Sequence, residues 1–167
     1  VLPPLDKEMT TPIAARLRER GVTLELGQTA QAFEAGAIDG EIVVRLASGA
    51  SISTQLVLVG IGVRPENGLA VAAGLEVGPR GGIRVNDAMQ TSDPDVYAVG
   101  DAVETNDFVS RERTQIPLAG PANRQGRIAA DHALGRPGRY RGTQGTAIVG
   151  LFGLTAAATG LGEKALK

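Results

Sequence analysis

The chain has 167 residues, 43% hydrophobic and 21% charged, which is enough for one ordinary domain with a sizeable core and unlike the composition of a disordered chain. Its 17 basic and 18 acidic side chains leave a formal charge of −1, which excludes the basic surplus needed to hold nucleic acid or an anionic membrane. With no cysteine and a lone His132, these residues offer no disulfide, thiolate metal centre or cysteine redox pair, and no metal site is expected.

No charged-then-apolar leader opens the sequence. The apolar run Ala147 to Ala158 is broken by Gly150 and Gly153 and is shorter than a membrane span. The expectation is a soluble, cytoplasmic protein without a membrane partner. Twenty-three glycines beside 3% aromatics suit a nucleotide-binding α/β protein, in which backbone approaches phosphate and helices lie close on strands. They suit a loop-rich small domain as well.

Leu5, Met9, Ile13 and Leu17 recur every four residues and predict an amphipathic helix, with Asp6 as its cap, basic residues in its last turn and Gly21 as its stop. Pro12 removes a hydrogen bond inside it and predicts a kink or restart. Val22 to Leu26 reads as a strand. Gln28 to Ala35, Glu41 to Leu46 and Ser51 to Ser53 alternate as a small antiparallel meander, with turns at Ile38-Asp39-Gly40 and Ala47-Ser48-Gly49. Gln55 to Gly60 is nearly all apolar, as a strand covered on both faces would be. Gly60-Ile61-Gly62 is not a phosphate-cradling Gly-x-Gly-x-x-Gly, because Val63-Arg64-Pro65 follows and no glycine completes it. Leu69 to Gly74 reads as a short helical turn, and Gly81-Gly82 leads into a short strand, Ile83 to Val85.

Thr91 to Asp101 runs Thr-Ser-Asp-Pro-Asp-Val-Tyr-Ala-Val-Gly-Asp. Val96 to Val99 predicts a buried parallel strand, bounded by the Asp93-Pro94 turn and by Gly100-Asp101. In an open α/β sheet, ligands bind beyond the carboxyl ends of such strands, where Gly100 permits close approach and Asp101 can accept hydrogen bonds from sugar-type hydroxyls. Alone, a Gly-Asp after a strand is a turn. The whole string resembles the C-terminal flavin motif of the two-dinucleotide-binding-domain flavoproteins. That resemblance implies that Asp101 holds the ribityl chain of FAD. It also implies that residues 1–62 are the C-terminal half of an NAD(P)H-binding domain and 63–141 the C-terminal part of an FAD-binding domain. Gly60 to Pro65 would be the crossing between them, with Ile61 and Gly62 near the nicotinamide nucleotide.

Ser110 to Thr114 reads as a solvent loop. Pro117 to Leu134 predicts a helix with Ala119, Ala122, Gly126, Ala129, Ala130 and Ala133 at helical spacing, and with Gly120-Pro121 in a first turn whose amides can stabilise negative charge. Without a ligand, the same stripe is simply a packed core helix. The segment Pro117 to Arg127 resembles the flavin-facing helix of coenzyme A disulfide reductases and related NADH oxidases. The resemblance implies that the Leu118 and Ala119 amides face the pyrimidine edge of the flavin, with Pro117 and Ala122 in the same cofactor-binding set. Arg124 and Arg127 read as solvated or subunit-facing, Arg127 and Asp131 as an i,i+4 pair, and His132 receives no role.

Gly142 to Thr146 leads into an apolar hairpin, Ala147 to Leu151 and Leu154 to Thr159, and Gly160 to Lys167 begins a helix. By the same resemblance, residues 142–167 open a dimerisation domain, which implies a homodimer. An uncovered apolar hairpin is expected to associate with another chain or slip in register.

The fold class expected is α/β: a partial, Rossmann-type two-dinucleotide-binding-domain flavoprotein fold. The resemblance covers essentially the whole sequence and places both ends inside domains. It implies a fragment of an FAD-dependent pyridine nucleotide-disulfide oxidoreductase whose parent passes hydride from NAD(P)H through FAD to a small-molecule acceptor, whether a disulfide, a sulfur species or oxygen. No catalytic residue is expected in this chain, and the isolated chain is expected to be colourless and inactive. Two alternatives stand beside this: a non-catalytic α/β scaffold or dimerisation module in which Gly-Asp is only a turn, and a parent of the ferredoxin- or rubredoxin-reductase type.

Overall fold

A computed structural model describes residues 5–166; Lys167, in the stretch expected to begin a helix, and residues 1–4 of the expected first domain lie outside the described residues. The chain divides into two compact units, one of residues 7–62 and one of residues 63–166 that also takes in Leu5 and Asp6.

The first unit opens with α1, Lys7–Glu19, which buries Ile13. The helix does not restart at Pro12. Pro12 and Glu8 are both exposed, so water can satisfy the carbonyl that the missing amide leaves, and the helix runs through. It ends in a Schellman motif: Val22 N–H donates to Leu17 O (3.0 Å) and Gly21 N–H to Arg18 O (2.9 Å), with Gly21 at φ 78°. Val22 to Leu26 is irregular rather than a strand. β1 (Ala30–Ala35), β2 (Ile42–Leu46) and β3 (Ser51–Thr54) form an antiparallel sheet in that order. Their register sets Phe33 opposite Val44 and Val44 opposite Ile52.

Gln55 to Gly60 departs from expectation. It is not a strand, and Leu56, Leu58, Val59 and Ile61 are 71%, 87%, 67% and 91% exposed. Apolar character gives a segment something to bury, but a strand also needs a hydrogen-bonding neighbour. No described strand pairs with this one.

The second unit begins with α2 (Gly68–Ala72) and β4 (Ile83–Arg84). A 3-10 turn at Gly100–Ala102 leads directly into β5 (Val103–Asn106), which lies parallel to β4 and antiparallel to β6 (Arg113–Thr114). The parallel strand therefore follows Gly100-Asp101 instead of preceding it. Val96 to Val99 carries only one bridge, Tyr97 to Gln90. Val96 and Val99 are 38% and 40% exposed, again because no strand pairs with the segment along its length.

Arg113 explains why the polar stretch before it is not a free loop. Its guanidinium donates from Nη1 to Val85 O (2.9 Å) and Glu104 O (3.1 Å), fastening β6 to β5 and to the residue after β4. Val85, Met89, Val103 and Tyr140 make the buried core of this unit, with Tyr97, Ala98, Ile128 and Ala129 packed against it.

α3 (Ala119–Ala133) supplies Ile128 and Ala129 and closes on Gly135 through Arg136 N–H to Asp131 O (2.8 Å). β7 (Ala147–Leu151) and β8 (Leu154–Ala158) form the expected hairpin. Its two turn residues, Phe152 and Gly153, have φ values of 47° and 79°, the sign that a two-residue I′ turn requires. α4 (Glu163–Leu166) follows. Its first amides, Glu163 N–H and Lys164 N–H, donate to the two carboxylate oxygens of Asp6 (3.1 Å each). Asp6, expected to cap α1, thus caps the last helix of the chain.

Candidate functional site

The Gly-Asp turn is docked onto α3. Gly100 takes φ 86°, a left-handed conformation that side-chain-bearing residues avoid. In that conformation its N–H donates to Gln125 Oε1 at 2.7 Å. Gln125 is itself 3% exposed, so the acceptor is rigidly placed. A Cβ built on Gly100 would lie 4.0 Å from Ala122 Cβ, which puts the turn against the opening turns of α3.

Next to it, Asp101 is exposed. Its carboxylate makes no hydrogen bond or ion pair with any described residue, which leaves an acceptor for hydroxyl donors. The start of α3 has the complementary character. Leu118, the N-cap, is extended (φ −136°, ψ 142°) and contributes no side-chain cap. Its own amide donates to Ile116 O at 2.9 Å, and Ala122 N–H donates back to Leu118 O at 3.1 Å. The amides left for a ligand are those of Ala119 and Gly120, since Pro121 has none. Together with the positive end of the helix dipole they suit a partial negative charge.

Of the residues singled out from the sequence, Gly100, Asp101, Pro117, Leu118, Ala119 and Ala122 fall in the second unit, while Ile61 and Gly62 fall in the first. Gly100 and Ala122 are brought together as described. Pro117 is exposed and precedes the N-cap. In the first unit, Gly62 has φ 95° and Ile61 is 91% exposed.

Two residues that hold the site were not singled out. Gln125 sits three positions after Ala122 on the small-residue side of α3, and a long amide among alanines and glycine was the available signal. His132 lies in the last turn of α3 and shares a 2.7 Å hydrogen bond between Nδ1 and the hydroxyl of Tyr97, with ring centroids 5.8 Å apart. That contact ties the far end of α3 to the segment leading into Gly100. Asp131, expected to pair with Arg127, instead pairs with Arg136 at 3.4 Å. The chain reverses at Gly135 and brings Arg136 back over the helix end. Among the described residues there is no cluster of metal-ligating side chains, and no helix is long and apolar enough to cross a membrane.

Residues 1–126 match the family described as pyridine nucleotide-disulphide oxidoreductase. The chain belongs to that family. An NADH oxidase of Enterococcus faecalis is 34% identical over 98% of this chain and 36% of its own length. The solved structure of reduced CoADR-RHD from Bacillus anthracis superposes with a TM-score of 0.92 at 47% identity, covering 99% of this chain and 29% of that one. An FAD-dependent pyridine nucleotide-disulphide oxidoreductase from Desulfovibrio vulgaris superposes at 0.89 and 31% identity over 96% of this chain and 40% of its own. The chain thus spans about a third of the length of these relatives, and its mixed α/β fold corresponds to part of the pyridine nucleotide-disulphide oxidoreductase fold.

Proposed function

We propose that this chain contributes the C-terminal side of an FAD site. The observation that carries the reading is the unpartnered Asp101 carboxylate beside a Gly100 turn that Gln125 locks against α3. Asp101 would accept hydrogen bonds from the ribityl hydroxyls. Ala119 and Gly120 would present amides, and the α3 dipole would favour negative charge at the pyrimidine edge, with Pro117, Leu118 and Ala122 forming the adjoining surface. The residues present fit such a group: an acceptor for a sugar-alcohol chain and donors for an anionic ring edge lie on one docked substructure. When bound, the flavin supplies hydride and electron transfer, and the protein contributes position and electrostatics.

In this reading residues 1–62 belong to the NAD(P)H-binding domain, with Ile61 and Gly62 toward the nicotinamide nucleotide. Residues 63–141 belong to the FAD-binding domain and 142–167 to a dimerisation region that makes a homodimer. The whole protein is a cytoplasmic oxidoreductase taking hydride from NAD(P)H to a small-molecule disulfide, sulfur species or oxygen; the NADH oxidase relative supports oxygen as one acceptor. The 167 residues contain no cysteine and no complete Gly-x-Gly-x-x-Gly, so the chain by itself is expected to be colourless and without NAD(P)H oxidase activity.

The test is Asp101→Asn in the holoprotein, read by flavin absorbance per polypeptide and by thermal melting. Loss of a charge-assisted hydrogen bond, about 1.5–3 kcal/mol, corresponds to at least about a tenfold weaker hold on FAD, while the melting temperature of the flavin-free protein stays unchanged. Full flavin retention in the variant overturns the assignment.

A further inference from the structure

His132 stands 13 residues beyond Ala119 in α3, about 20 Å along a helix and too far to touch a flavin at the helix start. It nevertheless shares a face with residues that serve that start. Gln125, Ile128, Ala129 and His132 are spaced i, i+3, i+4 and i+7 and so form one stripe. The middle two pack on the core of Val85, Met89, Val103 and Tyr140. The outer two make polar contacts with the segment leading into the Gly-Asp turn: Gln125 Oε1 accepts from Gly100 N–H, and His132 Nδ1 shares its hydrogen bond with the Tyr97 hydroxyl, both at 2.7 Å.

The two contacts are matched in length. The seven residues from Gln125 to His132 rise about 10.5 Å as a helix, and the three from Tyr97 to Gly100 cover about 10 Å as extended chain. The later helix residue meets the earlier segment residue, so α3 and the segment run in opposite directions, pinned at two points. Packing by Ile128 and Ala129 is non-directional and resists separation more than rocking, whereas a hydrogen bond holds only over a narrow range of distance and angle. The segment side is anchored by its own backbone, with Ala98 N–H donating to Met89 O at 3.1 Å and Tyr97 bridged to Gln90. The helix is therefore the part free to shift. Gln125 lies near its middle, six residues from Ala119 and seven from His132. With His132 released, α3 can rock about the Gln125 contact, and a displacement of its last turn is returned, nearly equal and opposite, at Ala119 and Gly120.

We propose that His132 is a positioning residue for the flavin, acting through Tyr97 to set the spacing between the Asp101 carboxylate and the Ala119 and Gly120 amides. The role rests on the assignment of those groups to FAD and adds a residue that touches neither cofactor nor substrate. The ribityl chain and the pyrimidine edge belong to one molecule, so the acceptor and the donors that serve them must keep a fixed separation.

The test is FAD affinity, visible circular dichroism of the bound flavin and its reduction potential, measured on the holoprotein beside the melting temperature of the flavin-free form. Tyr97→Phe and His132→Leu each remove one partner of the hydrogen bond. Each is expected to weaken FAD binding about two- to tenfold, no more than one hydrogen bond is worth, and to shift the dichroism bands and the potential. The double variant is expected to go no further than either single one. His132→Asn carries an amide atom on Cγ where Nδ1 stands and is expected to restore the parent values; it also keeps the test decisive if His132→Leu fails to fold. Either of two results overturns the proposal: a lower melting temperature with affinity, bands and potential unchanged, which makes the pair merely structural, or His132→Asn behaving as His132→Leu does. Asp101→Asn, run alongside, separates this role from the flavin site itself. Flavin loss in that variant with no effect of Tyr97→Phe removes the role of His132 and leaves the site standing, whereas full retention in Asp101→Asn removes both.

Discussion

Two glycine-containing segments in this chain follow apolar runs and come to rest in different surroundings. Leu56 to Val59 leads into Gly60–Gly62, and Val96 to Val99 leads into Gly100–Ala102. Gly62 and Gly100 even share the same backbone region, φ 95° and 86°. Around Gly62 nothing lies within 4 Å of a built Cβ, and its apolar neighbours stand in solvent. Gly100 is held by the buried Gln125, and the segment before it is tied through Tyr97 to His132 and packs on the core of Val85, Met89 and Val103. Leu56 to Val59 is the more apolar of the two runs, yet it is the exposed one; the difference is the presence of a polar partner on a helix. A buried hydrogen bond fixes a turn where an apolar run alone does not.

The contrast can be broken most severely in the core beneath the second turn. Met89 is 1% exposed, so Met89→Ala is expected to remove about 2–5 kcal/mol in urea unfolding. Leu58→Ala, in the exposed run, should stay within about 0.5 kcal/mol. Similar losses for both would mean that Leu58 is buried in solution. Gly142→Ala is expected to cost more than the roughly 1–2 kcal/mol of a left-handed alanine, because its Cβ also meets Asn106 O at 2.5 Å; the same measurement checks it. Gln125→Leu keeps the volume but leaves the Gly100 amide without its acceptor, with an expected loss of about 1–3 kcal/mol and faster hydrogen exchange at Gly100. Unaltered exchange at that amide would contradict the docking of the turn. Smaller effects than that of Gly142→Ala are expected from Gly62→Ala and Gly100→Ala. Neither new methyl group clashes, so each should cost only about 1–2 kcal/mol from the backbone, and a much larger loss at Gly62 would reveal a hidden neighbour there.

Much of this architecture could be read from residue order because it is local. The meander from Ala30 to Thr54, the helices ending at Gly21 and Gly135, and the Phe152-Gly153 hairpin all depend on turn chemistry and periodicity within a few residues. The Gly100-Asp101 motif and the helix after Pro117 were legible for the same reason. What could not be read was pairing at a distance. Whether Val96–Val99 or Val103–Asn106 becomes the parallel strand depends on which segment β4 meets, and no local pattern records that. Arg113 looked like a loop residue because its partners, Val85 O and Glu104 O, are backbone atoms far off in sequence. Gln125 and His132 were passed over because a single polar residue on a helix says nothing about what it will face.

The carboxylate of Asp6 has a practical consequence. It grips the first amides of a helix that begins 157 positions later, and a helix this short has little stability of its own. Two segments far apart in sequence are thereby clasped together. Asp6→Ala should therefore be felt as fraying of α4, and proteolytic sensitivity near Leu166 would report on the integrity of the residues around Asp6.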